Sequence, residues 1–402
     1  MVKVIKDEKK IDELLTRGVE EVIVKDSLRK KMLSGKKLRV KLGIDPTGSF
    51  LHLGHAVVLK KLRDFQELGH QVIFLIGDFT AKIGDPTGRT SGRKPMTEKE
   101  IKANMENYQV QAGKVLDMSK VEVRYNSEWL AKLNLKDTIL LTSKITYAQM
   151  AQRASFKERI KKDVDLSIQE FLYPAMQGYD SVALKADVEL GGTDQKFNLL
   201  MGRQLQKRYN QEPQDIVTCP LLEGLDGFEK MSKSVGNYIG ITEDSNLMFG
   251  KLMSIPDQLI VRYFDLCTEI SKEELNKIKI DLKNEKINPR NVKIRLAEKI
   301  VTKYHDEKKA KAARENFEKV FSKREVPIEV AEVSVEKGEN ILDLLVGSGL
   351  AESRSDAKRK MNQGGVKIDN KVVKDLSLKL DENFNGRIIK VGKREFRKIK
   401  VQ

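Results

Sequence analysis

Two stretches of the chain carry residue types suited to polyphosphate chemistry. The first runs Asp45-Pro46-Thr47-Gly48-Ser49-Phe50-Leu51-His52-Leu53-Gly54-His55, where a strand-like pattern gives way to a helical one. Amide hydrogens and the macrodipole at a helix start favour an anion there. Gly54 removes a side chain, so a large ligand can lie against the backbone. His52 and His55 can donate hydrogen bonds to phosphate oxygens, although the same pair also fits ordinary capping or core histidines. A metal pair is disfavoured, because no third ligand lies nearby in the sequence. In the second stretch, Gly224 and Gly236 flank Lys230-Met231-Ser232-Lys233-Ser234. That composition suits a mobile basic loop able to close over polyphosphate; taken by itself it also suits a solvated surface loop.

These residues need a scaffold, and the first half of the chain alternates strand and helix patterns. Leu38–Ile44 reads as a strand leading into Asp45. A helix follows over Gly54–Leu68, with Val57, Val58, Leu62 and Phe65 on one stripe. Gln71–Asp78 is almost continuously apolar, as in a strand buried on both faces of a parallel sheet. Glu98–Leu116 reads as helical, Val121–Tyr125 and Ser181–Glu189 as strands, and Thr193–Lys207 as a helix after Gly191-Gly192. This alternation predicts a doubly wound α/β core. Residues 242–325 lack strand-like runs, and Val292, Leu296, Ile300 and Tyr304 recur every four residues behind Pro289, a helix-start residue. Residues 325–337 read as a linker. A small last unit holds two short helices (Ile341–Val346 and Ser355–Gln363) and strands at Val366–Ile368 and Arg387–Val391.

At roughly 150 residues per domain, the 402 residues predict two or three domains. An apolar share of 40 % rules out wholesale disorder. Two cysteines, Cys219 and Cys267, exclude a disulfide scaffold and a cysteine-built zinc site. No signal-peptide pattern opens the chain, and no apolar run reaches the ~18 residues of a membrane helix. The expectation is a soluble protein of the cytoplasm. The formal net charge of +16 suits a nucleic-acid partner and a lysine-rich surface equally.

His52-Leu53-Gly54-His55 and Lys230-Met231-Ser232-Lys233-Ser234 resemble the two signatures of class I aminoacyl-tRNA synthetases. Three further strings narrow the family: Tyr173-Pro174-Ala175-Met176-Gln177-Gly178-Tyr179-Asp180, Gly191-Gly192-Thr193-Asp194-Gln195, and Ile83-Gly84-Asp85-Pro86-Thr87-Gly88. Together they resemble the bacterial-type tyrosyl-tRNA synthetases over essentially the whole chain. The resemblance implies a Rossmann-like catalytic domain over 1–241, with an insertion at about 105–190 that forms a homodimer interface. It further implies a helical anticodon-binding domain over 242–325, a linker over 326–337 and an alpha-L-type RNA-binding domain over 338–402. The implied reaction joins L-tyrosine to ATP, accompanied by Mg2+ but without a protein metal site, and passes the amino acid to tRNA(Tyr).

Carried over by the same resemblance, Asp180 would accept the phenolic hydroxyl, and Asp85, Tyr173 and Gln177 would hold the ammonium. Gln195 would lie near the carboxylate, Asp194 and Gly192 at the ribose, and Asp45 in the site wall. Thr47 and His52 would face the γ-phosphate, His55 the nucleotide, and Lys230 and Lys233 the pyrophosphate. Gly54, Met231, Ser232 and Ser234 complete the nucleotide-binding stretches. The better-known branch of the family has a tyrosine four residues before the aspartate that matches Asp45. Here Lys41 stands there, so the chain resembles the second bacterial branch. Strand alternation points Lys41 into the pocket, where it is expected to bond Asp180 or a water. Trp129 and most phenylalanines read as core, and Arg153–Ser167 as a mobile loop near the substrate entrance.

Residues 338–402 hold 15 Lys+Arg and 9 Asp+Glu, a net of +6. Arg354, Lys358, Arg359 and Lys360 cluster on one short helix, and helical spacing puts Arg354, Lys358 and Met361 on a face that could read phosphates. Arg290, Lys293, Arg295, Lys299, Lys303, Lys308 and Lys309 would add anticodon contacts. Two rivals share some of these features. A tryptophanyl enzyme has both signatures, but the Tyr173/Gln177/Asp180 set and the basic last unit speak against it. A non-catalytic RNA-binding derivative would have no physical need for intact signatures.

Overall fold

A computed structural model describes residues 4–87, 96–105, 107–322, 332–369, 371–392 and 395–402. The chain separates into two compact units, Met1–Ala310 and Lys311–Gln402.

The first unit is built on six strands: β1 Glu21–Ile23, β2 Arg39–Ile44, β3 Gln71–Ile76, β4 Val121–Tyr125, β5 Val188–Gly192 and β6 Asp215–Cys219. Their order in the sheet is β1-β6-β5-β2-β3-β4. All neighbours run parallel except the edge strand β1, which is antiparallel to β6. Val72–Ile76 of β3 are all buried, as its unbroken apolar run predicts for a strand covered on both faces. The helix Leu53–Glu67 buries Val57, Leu62 and Phe65. Val58 of the expected stripe is only half-buried.

The expected strand Ser181–Glu189 starts too early. Ser181–Leu184 form the last turn of the helix Ile168–Leu184, which ends at Lys185 in the left-handed region (φ 47°), and β5 begins at Val188. The apolar run Val182–Leu184 fits either element, and tertiary packing gives it to the helix. The expected helix Glu98–Leu116 is two helices, Glu98–Met105 and Tyr108–Ala112. Beyond the sheet come helices Ser245–Ser254, Ile260–Cys267, Lys272–Lys283, Pro289–Tyr304 and Glu307–Ser322. Asn288 caps the fourth of these by accepting the Arg290 N–H at 2.9 Å, with Pro289 in its first turn. Its stripe Val292, Leu296, Ile300 and Tyr304 is buried throughout.

In the second unit, β7 Glu332–Val335, β8 Val366–Ile368, β9 Lys371–Val372, β10 Ile388–Val391 and β11 Glu395–Val401 form a sheet in the order β7-β11-β10-β8-β9. The helices Ile341–Gly347 and Arg354–Asn362 close its core with Ile341, Leu345, Ala357 and Met361. Strand β7 lies where the sequence pattern suggests a linker. It pairs in parallel with β11, Glu332 opposite Lys398, and Val335 is buried in the core. Residues 325–331, the first part of that expected linker, lie outside the described residues. No helix among the described residues is long and apolar enough to cross a membrane.

Candidate active site

The chain leaves β2 toward β3 and β4, then returns on the other side as β5 and β6. In a doubly wound sheet a crevice opens at the carboxyl ends of the two strands where the direction reverses. Asp45 stands just past the end of β2, Gly77 just past β3, and Gly191-Gly192 at the end of β5. The chemistry-bearing segments therefore meet at one place.

Tyr173, Gln177 and Asp180 share a face of the helix Ile168–Leu184 by their spacing of four and three. Asp180 is 2 % exposed. One of its oxygens accepts the Trp129 indole N–H at 2.8 Å, and the other accepts Asn126 Nδ2 at 3.3 Å. Burial pushes this carboxyl up to about 7, against the pull of the Lys41 charge and the two hydrogen bonds. Trp129 packs half-buried against the core cluster of Ile73, Leu75 and Leu184, as expected, and its polar edge also serves the site. The Tyr173 hydroxyl donates to Asp45 Oδ2 at 2.9 Å, and Thr80 Oγ1 donates to Asp45 Oδ1 at 2.8 Å. Burial first, and then Asp45, raise the Tyr173 phenol well above its ordinary range. Gly77 is required here, since a Cβ would come within 2.0 Å of Asp45 Oδ1. The buried side-chain oxygen of Gln177 meets no donor among the described residues, as suits an acceptor awaiting a ligand cation.

Lys41 faces the same region, fully buried, but its partner differs from the expected one. Its ammonium lies 2.8 Å from Glu189 Oε1 and donates to Ser181 Oγ at 2.8 Å; no hydrogen bond joins it to Asp180. Lys41 and Glu189 are register partners in the neighbouring strands β2 and β5. The carboxylate beside it in the sheet therefore captures the lysine. Glu189 also accepts Ser181 Oγ at 3.0 Å, and it accepts a further hydrogen bond from Gln214 Nε2.

A second carboxylate, Asp85, is more heavily engaged. Its Oδ1 accepts the Thr87 N–H at 2.9 Å, the Thr87 hydroxyl at 2.6 Å and an Arg153 N–H at 3.1 Å. Its Oδ2 accepts Gln195 Nε2 at 2.7 Å. Burial pushes this carboxyl up, but Arg153, Thr87 and Gln195 outweigh it and hold Asp85 below the usual carboxylate range. Gln195, expected near a substrate carboxylate, points its amide at Asp85 instead. Gly88, the end of that string, lies outside the described residues. The expected mobile loop Arg153–Ser167 is largely the helix Ala154–Lys161. It is anchored by buried Phe156 and by the Arg159–Glu170 ion pair at 2.5 Å. Its high charge hid that anchoring.

His52 caps the helix Leu53–Glu67, and its backbone N–H donates to His55 Nδ1 at 3.2 Å. Burial, then Lys233 and Lys230, push His52 down to about 3, and burial drives His55 well below its ordinary value. Both rings are neutral at pH 7. The segment that follows the Lys230–Ser234 loop pairs with this turn: Leu53 N–H donates to Ile239 O at 2.9 Å, and His52 bridges Gly240. Met231 is buried, its Cβ 3.7 Å from where a Cβ on Gly54 would stand. Lys233 donates to Gly48 O at 3.3 Å and to the Tyr108 hydroxyl at 3.2 Å, with its ammonium 5.0 Å from the Phe50 ring centre. Lys230 pairs with Asp194 at 2.6 Å. Ser232 and Ser234 hydroxyls lie 3.0 Å apart. Thr47 donates its N–H to Asp45 O at 2.8 Å, and Gly192 leaves room for Asp194, whose Oδ1 would lie 2.7 Å from an added Cβ.

In the second unit, Arg354, Lys358 and Arg359 are exposed on the helix Arg354–Asn362. Arg354 pairs with Asp343 at 3.1 Å, while Arg359 at 2.5 Å and Lys360 at 2.8 Å pair with Asp356. Met361, expected on the same face as Arg354 and Lys358, is fully buried in the core: the apolar residue turns inward.

Residues 33–322 match the family of class I tRNA synthetases for tryptophan and tyrosine, and residues 317–399 match the SYY-like C-terminal domain of tyrosine–tRNA ligases. The chain is 49 % identical over 386 residues to the tyrosine–tRNA ligase of Thermotoga maritima, covering 96 % of each chain. It is 50 % identical over 397 residues to that of Carboxydothermus hydrogenoformans, covering 96 % of this chain and 97 % of the relative. Among solved structures, a C-terminally truncated mitochondrial tyrosyl-tRNA synthetase from Aspergillus nidulans superposes with a TM-score of 0.63 at 23 % identity, over 78 % of this chain and 94 % of the other. The Archaeoglobus fulgidus tyrosyl-tRNA synthetase complexed with L-tyrosine gives 0.62 at 24 % identity, over 77 % and 100 %. At these identities the likeness establishes the fold.

Proposed function

Since the chain belongs to the tyrosyl-tRNA synthetase family of class I, we propose that its site condenses L-tyrosine with ATP and passes the tyrosyl group to tRNA(Tyr). The observation that carries the choice of amino acid is Asp180, a carboxylate at 2 % exposure held by two donors. A phenol completes its shell. Phenylalanine would leave a buried acceptor unpaired, a cost of about 1–3 kcal/mol or more for a charged group. An indole, already supplied by Trp129, would be a bulkier second donor.

The nucleophile is the tyrosine carboxylate, charged at neutral pH, so the reaction needs no general base. A carboxylate oxygen forms the bond to the α-phosphorus, the bond from that phosphorus to the bridging oxygen breaks, and pyrophosphate leaves with the electron pair. Catalysis is then positioning and stabilisation of charge building on the phosphates. Asp85, Tyr173 and Gln177 surround the ammonium position. Thr47 and the neutral rings of His52 and His55 offer hydrogen bonds at the helix start. Lys233 and Lys230 exchange their present oxygen partners for pyrophosphate, which frees Asp194 for the ribose beside Gly192. Gly54, Met231, Ser232 and Ser234 shape the nucleotide cleft. ATP enters with Mg2+. In the second step a ribose hydroxyl at the tRNA 3′ end attacks the adenylate carbonyl and AMP departs.

The basic helix Arg354–Asn362, with Lys358 exposed, and the helical segment 242–322 supply the RNA contacts. The insertion leaves Leu135, Ile139, Leu140, Tyr147 and Ile168 between 52 % and 76 % exposed, which supports a homodimer through that face. We place the enzyme in the cytoplasm, with its substrates. Amino-acid-dependent ATP–pyrophosphate exchange tests the whole reading: tyrosine stimulates exchange, whereas a response to tryptophan, or to neither, overturns it.

A further inference from the structure

Arg153 takes no part in the chemistry above, yet it is built into the amino-acid site. It is 5 % exposed. Its guanidinium lies 4.9 Å from the Phe156 ring centre and 5.6 Å from that of Phe197, which fixes the plane of the fork. One terminal nitrogen donates to Asp85 Oδ1 at 3.1 Å and also to the Thr87 hydroxyl. The other, NH1, is shut off from solvent and meets no acceptor among the described residues. A buried guanidinium nitrogen without an acceptor is an uncommon and costly arrangement. The charges point the same way. Asp85 and Arg153 together are neutral, so an ammonium landing on Asp85 would leave one surplus positive charge. A negative group on the same ligand, set beside Arg153, removes that surplus.

We infer that Arg153 binds the α-carboxylate of the substrate amino acid through NH1, so that Asp85 and Arg153 read a zwitterion as alternating charges. This rests on the reading of Asp85 as the ammonium site. A single-nitrogen contact restrains one carboxylate oxygen and leaves the other to attack the α-phosphorus.

The test is calorimetric titration of the full chain with three ligands: L-tyrosine, L-tyrosinol (ammonium without carboxylate) and 3-(4-hydroxyphenyl)propanoate (carboxylate without ammonium). Arg153→Met weakens tyrosine and the propanoate by about tenfold or more, the scale of a lost hydrogen bond to a charged group. Tyrosinol keeps or gains affinity. Arg153→Lys, which retains charge but loses the fork, shows the same ranking with a smaller loss, and it carries the test should the methionine variant fail to fold. Equal loss for all three ligands overturns the inference, because Arg153 would then only support the fold around Asp85. Tighter tyrosine binding also overturns it, since Arg153 would then be an obstructing cation. Asp85→Asn probes the underlying reading separately. It weakens tyrosinol and spares the propanoate; tyrosinol binding that survives this change refutes the ammonium site whatever Arg153 shows.

Discussion

A carboxyl pushed up to about 7 inside a tyrosine site makes substrate recognition pH-dependent. Ionised Asp180 is the stronger acceptor of a phenolic hydrogen, so tyrosine affinity falls as pH drops below about 7. Stability runs the other way. The folded state holds this proton more tightly than the unfolded chain, so the group's stabilising contribution is complete at low pH. It is lost as pH rises from the ordinary value of 3.8 through about 7. Asp180→Asn is expected to abolish selective tyrosine binding and to flatten this part of the stability profile, read by denaturant unfolding between pH 4 and 8. The Lys41–Glu189 pair is a different case. Lys41→Met strands a buried carboxylate, and loss of one partner of a buried pair costs about 3–5 kcal/mol. Urea unfolding is expected to register that loss, and Lys41→Met with Glu189→Gln to recover most of it. Lys41 was legible as a charge on an inward strand face, whereas Glu189 stood only at the end of the strand expected over Ser181–Glu189, with no role attached. Their register, which pairs them, depends on strand residues 148 positions apart meeting in the sheet. Trp129 and Arg153 were harder still, because each is defined by a carboxylate far away in sequence.

At the scale of elements, what could be read locally was read well. The helix start at His52, the buried strand β3 and the capped helix at Pro289 each follow from contiguous patterns, and those patterns carry their own physics. The errors fall where neighbours decide. Ser181–Leu184 stayed helical because the helix Ile168–Leu184 packs its face against the helix Lys196–Arg208. The charged segment after Arg153 folded because one phenylalanine and one ion pair anchor it. Exposed apolar residues on the helix Leu135–Thr142 belong to this scale too. Ile139→Asp is expected to shift the protein from dimer to monomer in sedimentation velocity, leaving its circular dichroism unchanged.

For the molecule as a whole, two compact units suggest two separable tasks. The small unit has its own sheet and core, and β7 belongs to it. A clean truncation therefore removes 332–402, not 338–402. Such a chain is expected to keep tyrosine-dependent pyrophosphate exchange while tRNA charging drops on the order of a hundredfold, the scale of several lost phosphate contacts. Measuring both activities on one preparation decides it. Within the larger unit, Met231 is seated beneath the lysine loop against Gly54, like an axle between two spokes. Both lysines therefore hang from a backbone pinned by one buried thioether side chain, so the place where triphosphate meets positive charge is set by packing inside the fold.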